Sequence, residues 1–191
     1  MLKTRDLLIE IGTEELPPKS LKSLATAFSE QMCLALNEVE LDFNDTNWYA
    51  TPRRLSLLIT DLDITQKDKE HQRRGPSLSV AFDKNENPTQ ATAGFAKSCG
   101  VEVKELEKLE SGKGAWLVFN TILKGKKTNE IIPGLVEKSL ERLPIAKRMR
   151  WGNYNIEFVR PIKWILILFG NKTLNCEILG IKSVVTSFGH R

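Results

Sequence analysis

The sequence predicts an α+β fold: an antiparallel or mixed sheet covered by two main amphipathic helices, with a small helix-plus-hairpin insert. Three observations predict it. Apolar runs with strand character recur at 7–11, 55–62 and 162–169. Two stretches, 18–37 and 128–142, carry apolar side chains at three- and four-residue spacing, which makes one stripe on a helix. Between them, Ser111-Gly112-Lys113-Gly114 separates two strand-like runs, 106–109 and 115–122, and two glycines in four positions suit a tight hairpin connection.

Taken in order, Leu7, Ile9 and Ile11 alternate and so share one face of a first strand. Pro17 and Pro18 follow, where a fixed φ favours helix entry. The first helix then places Leu21, Leu24, Ala25, Phe28, Met32 and Leu36 on its stripe. Asn44, Asp45 and Asn47 mark a loop. The next strand region, 48–61, is interrupted at Thr51-Pro52-Arg53-Arg54. Proline cannot donate to a ladder, so the strand proper begins after it, over 55–62. The polar segment 66–74 is expected to be exposed, and Gly75-Pro76 to turn. A loop at 82–88 leads to a short helix over 89–98, stopped by Gly100. After the hairpin and a basic turn at 124–127, Thr128 is placed as the N-cap of the second long helix, with Pro133 in an early turn. The run 162–169, apolar on consecutive residues from Ile165 to Phe169, reads as a central strand buried on both faces. A turn at 170–173 and a returning strand over 174–181 complete the pattern. The expected division is 1–84 and 126–191 as the main domain, with 85–125 as the insert. The last apolar segment stops without a polar tail, so a piece of a longer protein is expected.

At 191 residues, with 41% apolar and 27% charged content, the chain has enough apolar side chains for a core. No apolar run approaches the roughly 20 residues that span a bilayer. The N-terminus has charges among its apolar residues and no small-residue cleavage site, so a secretory signal is not expected. Cys33, Cys99 and Cys176 are far apart and odd in number, which suggests three buried, reduced thiols in a cytoplasmic protein, not a zinc site or disulfide framework.

The net charge of +4 is mild, so clustering matters more than the total. From Arg142 to Lys163 six cations (Arg142, Lys147, Arg148, Arg150, Arg160, Lys163) face one anion, Glu157. Such a span attracts polyanions. Arg53, Arg54, Arg73 and Arg74 are further candidates, because the planar guanidinium fork suits phosphate. Trp151 or Tyr154 could stack on a base. The competing reading is that these cations salt-bridge to surface carboxylates or form solvated faces. Glu14 and Glu15 are adjacent carboxylates just before a helix; two close carboxylates can do acid–base work, but negative charge near a helix start also simply stabilises the helix, and that is the preferred reading. His71 lies in a polar segment and His190 near the chain end, so no catalytic triad is visible. Ser111 to Gly114 lacks the spacing and strand-to-helix context of a phosphate loop. No catalytic residue and no metal ligand is expected.

The stretches LLIEIGTEELPPKSL (7–21), ATPRRLSLLI (50–59), RRGPS (73–77), PTQATAGFAKSCGV (88–101), LPIAKRMRWG (143–152), EFVRPIKWILILFG (157–170) and TSFGHR (186–191) come in an order that resembles the beta subunit of the bacterial two-subunit glycyl-tRNA synthetase. The resemblance is to its N-terminal portion; an HD-like region and an anticodon-binding region follow in that family. It implies a cytoplasmic heterotetramer of alpha and beta chains that joins glycine to its tRNA, with ATP consumed through a glycyl-adenylate. It further implies that the alpha chain holds the class II active site and ATP, and that the beta chain grips glycine tRNA. Two roles then compete for this segment: RNA contact through the candidate cations, or scaffold against the alpha subunit or the rest of beta. A free-standing RNA-binding module and an unrelated metabolic enzyme are the alternatives from other classes.

Overall fold

The computed structural model describes residues 3–83, 86–112, 114–151 and 157–189. Strand β1 is Thr4–Thr13, helix α1 is Leu21–Glu38, and strands β2, β3 and β4 are Asp45–Thr51, Arg54–Asp63 and Lys69–Ser77. Two helices follow, α2 (Leu78–Ala81) and α3 (Gln90–Cys99), then strands β5 (Glu107–Ser111) and β6 (Gly114–Leu123) and helix α4 (Thr128–Glu141). The short strands β7 (Met149–Arg150) and β8 (Glu157–Phe158) precede β9 (Ile162–Phe169). Three two-residue strands close the chain: β10 (Lys172–Thr173), β11 (Glu177–Ile178) and β12 (Ile181–Lys182). This is the expected α+β class. The chain divides into two compact units, residues 1–67 with 126–191, and residues 68–125.

The first unit is built on a five-stranded antiparallel sheet in the order β10-β9-β1-β3-β2. Register explains its core. Ile9 lies opposite Leu57 on one side and Ile167 on the other. Leu7 meets Ile59 and Phe169, and Ile11 meets Leu55 and Ile165. All nine point to one face, because residues two apart on a strand share a face. That face is buried under the stripe of α1 (Leu24, Phe28, Met32, Leu36) and that of α4 (Ile132, Val136, Leu140). The two helices touch and are tied at their ends. Glu38 takes an ion pair from Lys138 at 2.7 Å and another from Arg142 at 3.5 Å. The Lys138 hydrogen bond is the main cause holding the Glu38 carboxyl below its ordinary pKa.

Several expectations are corrected here. The central strand is β1, not 162–169. β9 is second from the edge; in the run 165–169 Ile165, Leu166, Ile167 and Phe169 are buried, as expected, and Leu168 is half-buried, while Lys163 before it is exposed. Helices α1 and α4 both pack on the Ile9 face of the sheet. Asp45 and Asn47 belong to β2, because Asp45 finds a partner in Thr60 across the Thr51-Pro52-Arg53-Arg54 hairpin. Tertiary pairing overrides the loop preference of Asn and Asp. Thr128 is the first residue of α4 and not its cap; Lys127 is the N-cap. The Thr128 hydroxyl instead donates to the Asp63 carbonyl at 2.5 Å, fully buried. Thr128→Val should leave that carbonyl without its partner and lower stability by about 1–2 kcal/mol, measured by urea denaturation. The returning strand over 174–181 is broken. After β10 the chain forms a two-residue hairpin, β11 with β12, turned by Leu179 and Gly180 at positive φ.

The second unit holds a three-stranded sheet, β4-β6-β5, with α3 on one side. The expected hairpin is β5 and β6, with Ser111 opposite Gly114. The expected short helix is α3, closed by Gly100 at φ 74°. The polar segment 66–74 is largely β4, whose backbone pairs with β6; Lys69, Glu70, His71 and Gln72 are exposed, as expected, while Arg73 is half-buried. Nothing apolar alternates there, so the period-2 signal is missing. Gly75-Pro76 is not a chain reversal but lies where the register of this pair shifts, between Arg74 and Ser77. A Cβ at Gly75 would strike the Phe95 ring. Ala81, Ala96, Leu106 and Leu117 form this unit's own small core.

Candidate nucleic-acid interface

In the first unit, the loop after β1 is pinned by backbone bonds on two sides. Thr13 and Leu16 donate to the carbonyls of Arg53 and Pro52, at 2.9 and 2.7 Å, and Glu14 donates to that of Pro161 at 3.0 Å. The carboxylates of this region then meet basic side chains of the β2–β3 turn, of β3 and of β9. Arg53 pairs with Glu15 at 2.9 Å, and Lys163 with Glu14 at 3.4 Å. Glu10, only 8% exposed, receives Arg54 at 3.0 Å and the Ser56 hydroxyl at 3.4 Å. Burial of a carboxylate is tolerated because a cation and a hydroxyl replace its water. Glu14 and Glu15 therefore stand apart from the helix start: α1 begins at Leu21 with no acidic residue in its first turn.

Arg54 also faces the Trp164 ring, 5.3 Å from its centre, and donates to the Phe188 carbonyl. The Phe188 ring lies 5.4 Å from that of Trp164, tilted by 53°. Trp164 sits directly on Gly12, its cross-strand partner, where a Cβ would fall inside the indole. These groups line a cleft of about 1020 Å³.

The basic stretch after α4 is arranged differently. Arg148 donates to two backbone carbonyls, Glu141 at 2.7 Å and Glu157 at 3.4 Å. Arg160 donates to the Glu15 carbonyl at 3.1 Å and approaches the Met149 sulfur at 3.1 Å. Lys147 is exposed. Among the described residues, Arg150 alone of this group meets a carboxylate, Glu157, at 3.3 Å across the β7–β8 pair. Lys147, Met149 and Arg160 border a groove of about 280 Å³ whose other wall is Pro17, Ser20 and Leu24. Trp151 is half-buried against the main core. Tyr154 and His190 lie outside the described residues.

In the second unit, Arg73 donates to the Ser98 carbonyl at 2.8 Å and hydroxyl at 3.2 Å, over the Phe95 ring. Arg74 lies flat on Trp116, 3.5 Å from the ring centre. His71 is exposed on β4. Among the described residues, no group of three or more His, Cys, Asp or Glu is placed to hold a metal ion, and no helix is long and apolar enough to cross a membrane.

The family model described as glycyl-tRNA synthetase beta subunit matches residues 7–191. The chain belongs to that family. It is similar to the glycine–tRNA ligase beta subunit of Hahella chejuensis, with 50% identity over 187 residues, 98% of this chain and 27% of that relative. The beta subunits of Marinobacter nauticus and Glaesserella parasuis are 47% and 44% identical over 190 residues, the whole of this chain and 27% and 28% of theirs. The chain thus spans little more than a quarter of these relatives and corresponds to their N-terminal part.

Within this glycyl-tRNA synthetase beta segment the candidate cations fall into two sets. Arg53, Arg54, Arg150 and Lys163 are each matched by a carboxylate. Lys147, Arg148 and Arg160 form no ion pair among the described residues, and Arg73 and Arg74 rest on aromatic rings. Sequence reasoning missed Glu10, Gly12, Trp164 and Phe188. The one available signal was that Gly12 and Trp164 interrupt apolar strands, and without the register nothing joins them.

Proposed function

We propose that this segment performs no chemical step and serves the ATP-dependent attachment of glycine to its tRNA by holding the tRNA and by assembling with an alpha subunit. On this reading the alpha chain binds ATP and glycine and forms the glycyl-adenylate. The observation that carries the RNA-holding role is the trio Lys147, Arg148 and Arg160, three cations around Met149 whose charge no carboxylate offsets among the described residues. Arg148 is held by two carbonyls, which fix its position without neutralising it, so its charge stays available to a phosphate. Arg53, Arg54 and Lys163, matched by the carboxylates of the 10–15 region, serve the scaffold.

The test is a split between two half-reactions of the assembled alpha–beta enzyme. With Lys147→Ala and Arg148→Ala together, the KM for tRNA should rise while ATP–pyrophosphate exchange with glycine continues at the parental rate. Loss of exchange with an unchanged KM for tRNA would sink the assignment. So would a beta chain that does not copurify with an alpha chain.

A further inference from the structure

We propose that the cleft beside Trp164 is a stacking slot for one unpaired nucleobase of the bound RNA. The inference deepens the RNA-holding reading above and rests on it. The indole of Trp164 lies on the backbone of Gly12, so β1 supports one face of the ring and the glycine is what lets it sit there. The neighbouring ring is Phe188, 48% exposed, in a segment whose Val185 is 76% exposed. An aromatic side chain that solvent reaches this freely can be displaced by another aromatic group at small loss of buried area.

The polar lining selects the kind of group. Among the described residues the cleft's three cations, Arg53, Arg54 and Lys163, are each matched by a carboxylate, so these side chains offer a phosphate no excess positive charge. An uncharged planar ligand with both donors and acceptors on its edge is better suited, since carboxylates accept from exocyclic amines and guanidinium groups donate to ring nitrogens and carbonyls. Thr13 lines the same cleft, is 4% exposed, and its hydroxyl has no hydrogen-bond partner among the described residues. A nucleobase meets these requirements together: a π face for Trp164, a polar edge, and no charge. The phosphates that flank it belong with Lys147, Arg148 and Arg160.

The probe is a short single-stranded RNA carrying one 2-aminopurine, whose fluorescence falls on stacking, titrated into the assembled ligase. The parent should quench it. Trp164→Leu should remove the quenching and weaken the probe about tenfold. Phe188→Ala keeps Trp164 in place and vacates the slot, so quenching and affinity should both increase; this variant reads the slot even where Trp164→Leu disturbs folding. Unchanged quenching in Trp164→Leu, or none in either the parent or Phe188→Ala, overturns the slot. Titration with whole glycine tRNA separates the two levels. If tRNA binding depends on Lys147 and Arg148 but the probe is not quenched, only the slot falls. If tRNA binding is indifferent to both, the RNA-holding reading falls with it.

Discussion

Lys147→Ala combined with Arg148→Ala is expected to weaken binding of glycine tRNA to the assembled ligase by about tenfold or more at moderate salt. The slope of log affinity against log salt should become shallower by roughly 1.5, since each lost phosphate contact removes about 0.7–0.9. The contrast that gives the result its meaning is Arg150→Ala. Arg150 already faces Glu157 at 3.3 Å, so removing it frees an anion as well as a cation. Its salt slope should stay close to the parent's. Filter binding over a salt series measures both. Equal slope changes for the two variants would show that the local carboxylate does not decide which cation meets RNA. Neither variant should lose much stability, because the side chains lie at the surface.

Arg54→Ala should have the opposite profile: little change in salt slope and a loss of stability of about 3 kcal/mol. The reason is Glu10, whose side chain is 11% exposed and faces Arg54 at 3.0 Å. Removing one partner of a buried pair leaves the other charge without compensation, typically worth 3–5 kcal/mol, and the partial exposure of Arg54 places this case at the lower end. Glu10→Gln in the same chain removes the stranded charge and should recover part of the loss. Chemical denaturation of the four members of this cycle gives the coupling directly. An additive cycle would mean that the pair contributes nothing of its own.

These two predictions divide a set of cations that look alike in the sequence. Arg53, Arg54 and Arg148 all stand in short basic runs, and composition treats them equally. What separates them is a carboxylate many residues away, Glu15 for Arg53 and Glu10 for Arg54, brought close by the pairing of β1 with β3. The alternation of Leu7, Ile9 and Ile11 was enough to show that a strand has an apolar face. It could not show that Glu10 and Gly12, on the other face, would meet Arg54 and Trp164. Likewise β4 was hidden because its exposed side chains carry no period, although its backbone is fully part of a sheet.

By itself the sequence determined the α+β class, the two covering helices, the β5–β6 hairpin and the family, because each is written in local periodicity or in runs of identical residues. The tertiary structure alone decided which strand is central, which arginines are neutralised, and that Trp164, Gly12 and Phe188 share one cleft. The physical reason is that periodicity is a property of neighbours along the chain, while ion pairing and ring stacking depend on strand register, which only the packed sheet fixes.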